Sequence, residues 1–244
     1  MNSLEIKRIC LWSSPRNIST ALMYSFAQRK DCKVFDEPLY GFYLVNTDAK
    51  KTHPGAENII HTMKTNGKEV INHMLEENSN PILFFKHMTH HLLDLNLDFL
   101  SQTINVIITR NPRQMIASFS KVIKNPRMED LGYTEQCRLV NVLEDKNLPI
   151  YVVDSSSIIN NPKSTLELLC KKTNIPFDKK MLTWKAGPIK EDGIWAKYWY
   201  KNVHTSTGFK SKQSKTISLS KQDEALAKKC IPYYDQLIKN SIYK

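Results

Sequence analysis

Four apolar runs constrain this chain more than any other feature: ICLW at 9–12, ILFF at 82–85, INVII at 104–108 and IYVV at 150–153. Most are continuous rather than alternating, as in strands covered on both faces. They define strands at Ile6 to Trp12, at Pro81 to Lys86, at Ile104 to Thr109, and from Pro149 to Asp154. A shorter run, Cys32 to Phe35, adds another. Helical patterns fall between and after them, at roughly Ala56 to Glu77, Arg113 to Lys124, Thr134 to Lys146, Pro162 to Thr173 and Lys221 to about Lys239. Strand and helix in alternation imply right-handed crossovers. The expected fold class is α/β: three layers, α/β/α, around a central parallel sheet of about five strands.

An open parallel sheet binds ligands beyond the carboxyl ends of its strands. The residues at the end of each run are therefore informative. After the first come Ser13, Ser14, Pro15, Arg16, Asn17, Ile18, Ser19 and Thr20, then a helix-like pattern with Leu22, Met23 and Phe26 on one side. A helix start offers backbone N–H groups without helical partners, and its dipole adds partial positive charge. With Arg16 and two hydroxyls beside it, such a junction suits a phosphate or sulfate. It is no Walker A loop, because the stretch from Ile9 to Ala27 contains no glycine. The other strand ends carry Asp36, Glu37 and Pro38; Lys86, His87, His90 and His91; Arg110, Asn111 and Pro112; and Asp154 with Ser155. Charge at nearly every strand end converges on one edge of the sheet.

The 244 residues carry a net charge of +11. That excess favours an anionic partner, and a non-catalytic polyanion or nucleic-acid binder is one reading of it. The lysines are scattered, however, as on a solvated surface. No apolar run approaches the ~18 residues of a membrane span. The opening MNSLEIKRIC has charges where a signal peptide needs its apolar core. Five cysteines, Cys10, Cys32, Cys137, Cys170 and Cys230, lie far apart without a C-x-x-C pair. Reduced thiols in a cytoplasmic protein are expected. The three histidines after the third strand have no carboxylate or cysteine close in sequence to complete a metal site, so no metal is expected.

Together these residues resemble the sulfotransferases that use 3′-phosphoadenosine 5′-phosphosulfate (PAPS). In that family a strand–loop–helix near the N-terminus grips the 5′-phosphosulfate; here it would be PRNISTA, Pro15 to Ala21. A second strand–helix junction, with an Arg and a Ser eight residues later, grips the 3′-phosphate. Here TRNPRQMIASF supplies Arg110 and Ser118. The wording WSSPRNISTALM, DEPLY, GIWAKYWY and HTSTGF is similar to a bacterial and plant branch of the family. The resemblance spans roughly Ile6 to Trp199 and implies a single sulfotransferase-like α/β domain over 1–244, with the first strand central as in P-loop kinases and sulfotransferases.

The departures are specific. Where many members have Lys-Ser-Gly-Thr-Thr in the first loop, this chain has Arg16, Asn17, Ile18, Ser19 and Thr20. Arginine keeps the charge and adds a bidentate fork. Cytosolic members carry Lys-x-His after the third strand, with the His as base; here Met88 takes that place and His87 stands one position early. The usual C-terminal Arg-Lys-Gly is absent, and Gly208 and Lys210, with Lys212, are the residues available for similar work. The segment from Ser206 to Lys221 reads as a mobile loop. Trp184, Trp195, Tyr198, Trp199 and Tyr200 crowd one region, as core or as the lining of an acceptor or adenine pocket.

The resemblance implies transfer of a sulfuryl group from PAPS, without metal, to a hydroxyl or amine of a small-molecule acceptor whose identity the sequence does not carry. Arg16 would hold the 5′-phosphate and Lys86 would assist. The base would be Glu37 or His87, with Glu37 preferred because His87 is displaced from the family position. The alternative is an ATP-dependent P-loop kinase in which Asp154 holds Mg²⁺; it lacks the glycine-rich loop.

Overall fold

A computed structural model of the chain describes residues 5–209 and 217–243. Its centre is a five-stranded, all-parallel sheet: β1 (Lys7–Ser13), β2 (Cys32–Asp36), β3 (Ile82–Met88), β4 (Ile104–Thr109) and β5 (Tyr151–Asp154), in the order β2-β3-β1-β4-β5. The first strand is central, between β3 and β4. The chain order reverses beside it, at the switch point where open sheets of this kind hold ligands.

Every strand but the edge strand β2 buries both faces, and the period of two sorts the side chains into separate cores. On one face Ile9, Leu11 and Phe84 pack against Leu22, Met23 and Phe26 of helix α1 (Ser19–Ala27). The rings of Phe26 and Phe84 stack at 4.1 Å. On the other face Cys10, Trp12, Phe85 and Ile107 pack against Met115 and Ile116 of the helix Pro112–Phe119, and against Tyr133, Leu139 and Val140 of the helix Tyr133–Asp145. The three layers arise directly from this sorting. The helix Lys221–Ile238 joins this second face through Ala227, Cys230 and Leu237. The chain after it closes the β5 edge: Ile242 N–H donates to Val152 O at 2.9 Å and Val152 N–H to Asn240 O at 3.1 Å. An edge strand otherwise left with open amides is thereby covered.

Two helical expectations are shortened. The stretch Ala56 to Glu77 forms two helices, Ala56–Thr62 and Gly67–Glu76, with Asn66 capping the second by accepting from Lys68 and Glu69 N–H. An Asn competes for backbone in a helix interior and favours a cap. The helix after β4 ends at Phe119 rather than Lys124. Among the described residues no helix is long and apolar enough to cross a membrane, and no group of three or more His, Cys, Asp and Glu side chains is arranged to hold a metal ion.

Candidate active site

The loop from β1 to α1 is held in place by Asn17. Its amide is buried, donating to Ser14 Oγ at 2.7 Å and to the Ile108 carbonyl of β4 at 3.0 Å. The loop turns through two non-glycine residues in the left-handed region, Arg16 (φ 63°) and Ile18 (φ 59°). Each costs an L-residue about 1–2 kcal/mol. Glu37 (φ 46°) at the end of β2 is a third. The described residues contain seven such positions, three of them Asn, the residue type that tolerates this conformation best. Of the other four, three lie at this sheet edge, and strain of this kind collects at functional sites.

Ile18 is the N-cap of α1, and no side chain caps the helix. The first bond across the turn runs from Leu22 N–H to Ile18 O at 3.1 Å, so the amides of Ser19, Thr20 and Ala21 lie ahead of the helical ladder. The guanidinium of Arg16 turns across the sheet edge and donates from Nε to Ser118 Oγ at 3.1 Å. Arg110, at the end of β4, donates to the Arg16 carbonyl at 2.9 Å and lies 3.4 Å from Gln114 Oε1. Its own carbonyl accepts from Tyr133 Oη at 2.6 Å. Among the described residues neither arginine has a carboxylate partner. Burial lowers the proton affinity of both, and for Arg110 the charge of Arg16 lowers it further. Two half-buried guanidiniums next to an uncapped helix start make a site for an anion.

The second half of the site is built on β2 and β3. Asp36 and Lys86 face each other in register, and Glu37 comes next in the chain, its N–H on the Lys86 carbonyl at 2.8 Å. Lys86 is fully buried on the α1 face. Its ammonium donates to Asp36 Oδ1 at 2.9 Å, to Tyr200 Oη at 2.6 Å and to Glu37 Oε1. These three acceptors use all three of its hydrogens. Burial opposes the charge on Lys86, but the two carboxylates outweigh it and hold the ammonium above its ordinary value. Burial and the charge of Asp36 push Glu37 up, against the pull of Lys86. Among the described residues the far oxygen of Glu37 accepts no hydrogen bond; His91 Nε2 stands 3.9 Å from it, outside hydrogen-bond range.

His87 is a correction to the sequence reading. One residue on from Lys86, it points to the opposite face, fully buried and stacked on Trp12 at 4.4 Å. Neither ring nitrogen has a partner, and burial pushes its pKa down to about 3. It belongs to the core on the face of the sheet opposite Lys86. Gly208 also differs from expectation. It forms an antiparallel bridge with Thr183, two residues past Met181, whose carbonyl accepts from Ser25 in the last turn of α1. That is the far end of the helix from Arg16. Lys210 and Lys212 lie outside the described residues. Asp154, the metal holder of the kinase alternative, caps the helix Ser155–Asn160 through Ser156 N–H and also accepts from Tyr234 Oη.

Tyr200 and Trp195 are the residues whose part the sequence does not reveal. Within the aromatic cluster only Tyr200 reaches Asp36 and Lys86, and the one signal for it is a buried acid–base pair in need of further partners.

The fold and the site together define an α/β protein of the P-loop-like class, with an arginine-bearing loop at the switch point and a buried carboxylate two strands away. The family model for the sulfotransferase domain matches residues 7–241, and the chain belongs to that family. It is 39% identical over 230 residues, 93% of its length, to the branched-chain-amino-acid aminotransferase-like protein 1 of Arabidopsis thaliana. The chain spans about 40% of the length of the curated relatives it matches. Among solved structures, the fold resembles the sulfotransferase domain from the curacin biosynthetic pathway (TM-score 0.56, 16% identity, 93% of this chain and 98% of that one). It also resembles a mouse sulfotransferase complexed with PAP (TM-score 0.53, 12% identity, 96% of this chain and 83% of that one).

Proposed function

We propose that the protein transfers a sulfuryl group from PAPS to a hydroxyl or amine of a small-molecule acceptor. The observation that carries this reading is the pairing of Arg16 and Arg110, two cations that among the described residues have no carboxylate partner, at an uncapped helix start, with the one carboxylate oxygen of the Asp36–Glu37–Lys86 cluster that no described donor reaches. In this reading Pro15 to Thr20 cradle the 5′-phosphosulfate, and Arg110 with Ser118 takes the 3′-phosphate. The acceptor attacks sulfur as the bond from sulfur to the bridging phosphate oxygen breaks. The leaving oxygen keeps the electron pair, and the loop amides and Arg16 stabilise its charge. The acceptor proton passes to Glu37. Lys86, with all its hydrogens engaged, acts through Glu37 by holding it in place. The family, and the PAP in the mouse protein of similar fold, support the choice of donor.

Titration calorimetry tests it. Adenosine 3′,5′-bisphosphate (PAP) should bind at least tenfold more tightly than AMP, since each charge-assisted contact to the 3′-phosphate is worth roughly 1.5–3 kcal/mol. Equal affinities overturn the reading. Turnover of PAPS should persist in excess chelator, because a sulfuryl group carries less charge than a phosphoryl group. A strict requirement for Mg²⁺ would return the kinase.

A further inference from the structure

The buried cluster holds two carboxylates on one lysine, and they are not equivalent. Asp36 has both oxygens engaged. Oδ1 accepts from Lys86 at 2.9 Å, Oδ2 accepts from Gly193 N–H at 3.0 Å, and the Tyr200 hydroxyl donates across both at 2.8 Å. Glu37 accepts from Lys86 on one oxygen only. The Tyr200 hydroxyl in turn is saturated. It has one hydrogen, given to Asp36, and it accepts from Lys86 at 2.6 Å and from Trp195 Nε1 at 3.2 Å. It is the only group in the cluster that touches both Asp36 and Lys86 without carrying charge itself. Tyr200 is 5% exposed, and burial and the neighbouring acids hold its phenol well above the ordinary range, so it stays a neutral donor.

The geometry points to Tyr200 as a positioning residue of the site: its hydroxyl clamps Asp36 and Lys86 together and so leaves the far oxygen of Glu37 as the one proton acceptor of the cluster. The inference rests on the reading of Glu37 as the base. Two carboxylates a few ångströms apart compete for a proton, and the one with fewer donors takes it. Tyr200 and the Gly193 N–H supply the donors that decide between them, and Tyr200 is the side chain among these two. The other groups facing Glu37 do not discriminate in this way. Lys86 touches both acids, and Tyr40 opens helix α2 (Tyr40–Val45) just beyond Glu37, its N–H on the Glu37 carbonyl. His91 is held neutral by burial, by His90 and His87, and by the charge of Lys86. Tyr200 reaches the site from 163 residues further along the chain than Glu37, in a segment anchored outside by Trp199 Nε1 on His53 Nε2 at 3.1 Å.

Carbon-13 NMR of the full chain, labelled at the Asp and Glu carboxyl carbons and assigned with Glu37→Gln, reads the proton directly. In the parent protein Glu37 should titrate above the ordinary glutamate range. In Tyr200→Phe, Asp36 loses a donor and Lys86 loses an acceptor. The Glu37 midpoint should then fall by about one pH unit, a tenfold loss of proton affinity, while PAP affinity stays within a small factor. A Glu37 curve that superimposes on the parent's overturns the assignment. If Tyr200→Phe does not fold, Trp195→Phe decides. It removes the donor to Tyr200 Oη while keeping an aromatic ring against Tyr40, and must shift the same midpoint in the same direction by a smaller amount; an unshifted curve overturns the assignment equally. Failure of the sulfotransferase reading would show elsewhere, as equal binding of PAP and AMP by the parent protein.

Discussion

The guanidinium of Arg110 donates to the backbone carbonyl of Arg16 at 2.9 Å, so the second cation of the site holds the loop that presents the first. Arg110→Ala should therefore lose more than one contact. The preference for PAP over AMP should fall to within about threefold, from the loss of a charge-assisted contact of roughly 1.5–3 kcal/mol. AMP affinity should also weaken as the loop loosens. Arg110→Lys should not restore it, because one ammonium cannot reproduce the planar fork. Calorimetry with both nucleotides on both variants separates these effects; an Arg110→Ala variant with full PAP preference contradicts the role.

The loop also depends on Asn17, whose buried amide ties Ser14 to Ile108. Asn17→Ala removes both bonds but leaves the Ile108 carbonyl satisfied by Gln136 Nε2 at 2.7 Å. The cost to folding should accordingly be modest, about 1–2 kcal/mol by urea denaturation. The cost to nucleotide binding should be larger, since the left-handed turns at Arg16 and Ile18 lose their brace. A variant that binds PAP normally but unfolds early would show that Asn17 serves the core alone.

Glu37→Gln keeps the shape of the site and removes the base of the proposed reaction. Turnover of PAPS with any accepted hydroxyl should drop by about 10²-fold or more, with PAP affinity within a small factor. With Glu37 as the base, its raised proton affinity should set the rising limb of the pH–rate profile above the ordinary glutamate range. Stopped-time assays across pH 4–8 check both. Near-normal turnover in Glu37→Gln would move the base elsewhere.

The buried His87 makes the fold sensitive to acid. Its pKa is pushed down to about 3 by burial, with Lys86 adding to the effect. Between that value and the unfolded value near 6.5 the unfolded chain binds the extra proton, so stability rises with pH across this window and is lost as pH falls through it. His87→Phe keeps an aromatic ring against Trp12 and removes the titrating group. Its melting temperature should fall less steeply from pH 6.5 to pH 4 than that of the parent, as thermal unfolding across that range would show. Parallel slopes would mean that His87 does not drive the acid transition.

The sequence by itself determined the strands and their parallel arrangement, which are written in local runs of apolar residues and in the alternation of strand with helix, enforced by short-range sterics and burial. The central place of β1 was expected only from the family resemblance. The sequence also marked the strand ends at Arg16, Glu37, Lys86 and Arg110, because one edge of a parallel sheet gathers the residues just beyond every strand. Tertiary structure decided which of these side chains meet. Lys86 and His87 are neighbours in the chain, yet pleating sends one into a polar cluster under α1 and the other into an apolar core against Trp12. The register of β2 against β3 sets Asp36 opposite Lys86. Folding of the distant segment from Gly193 to Tyr200 then supplies the remaining donors. A buried ion pair needs its last hydrogen bonds from wherever the chain can bring them, and that is a property of packing over long sequence separations, which no local pattern records.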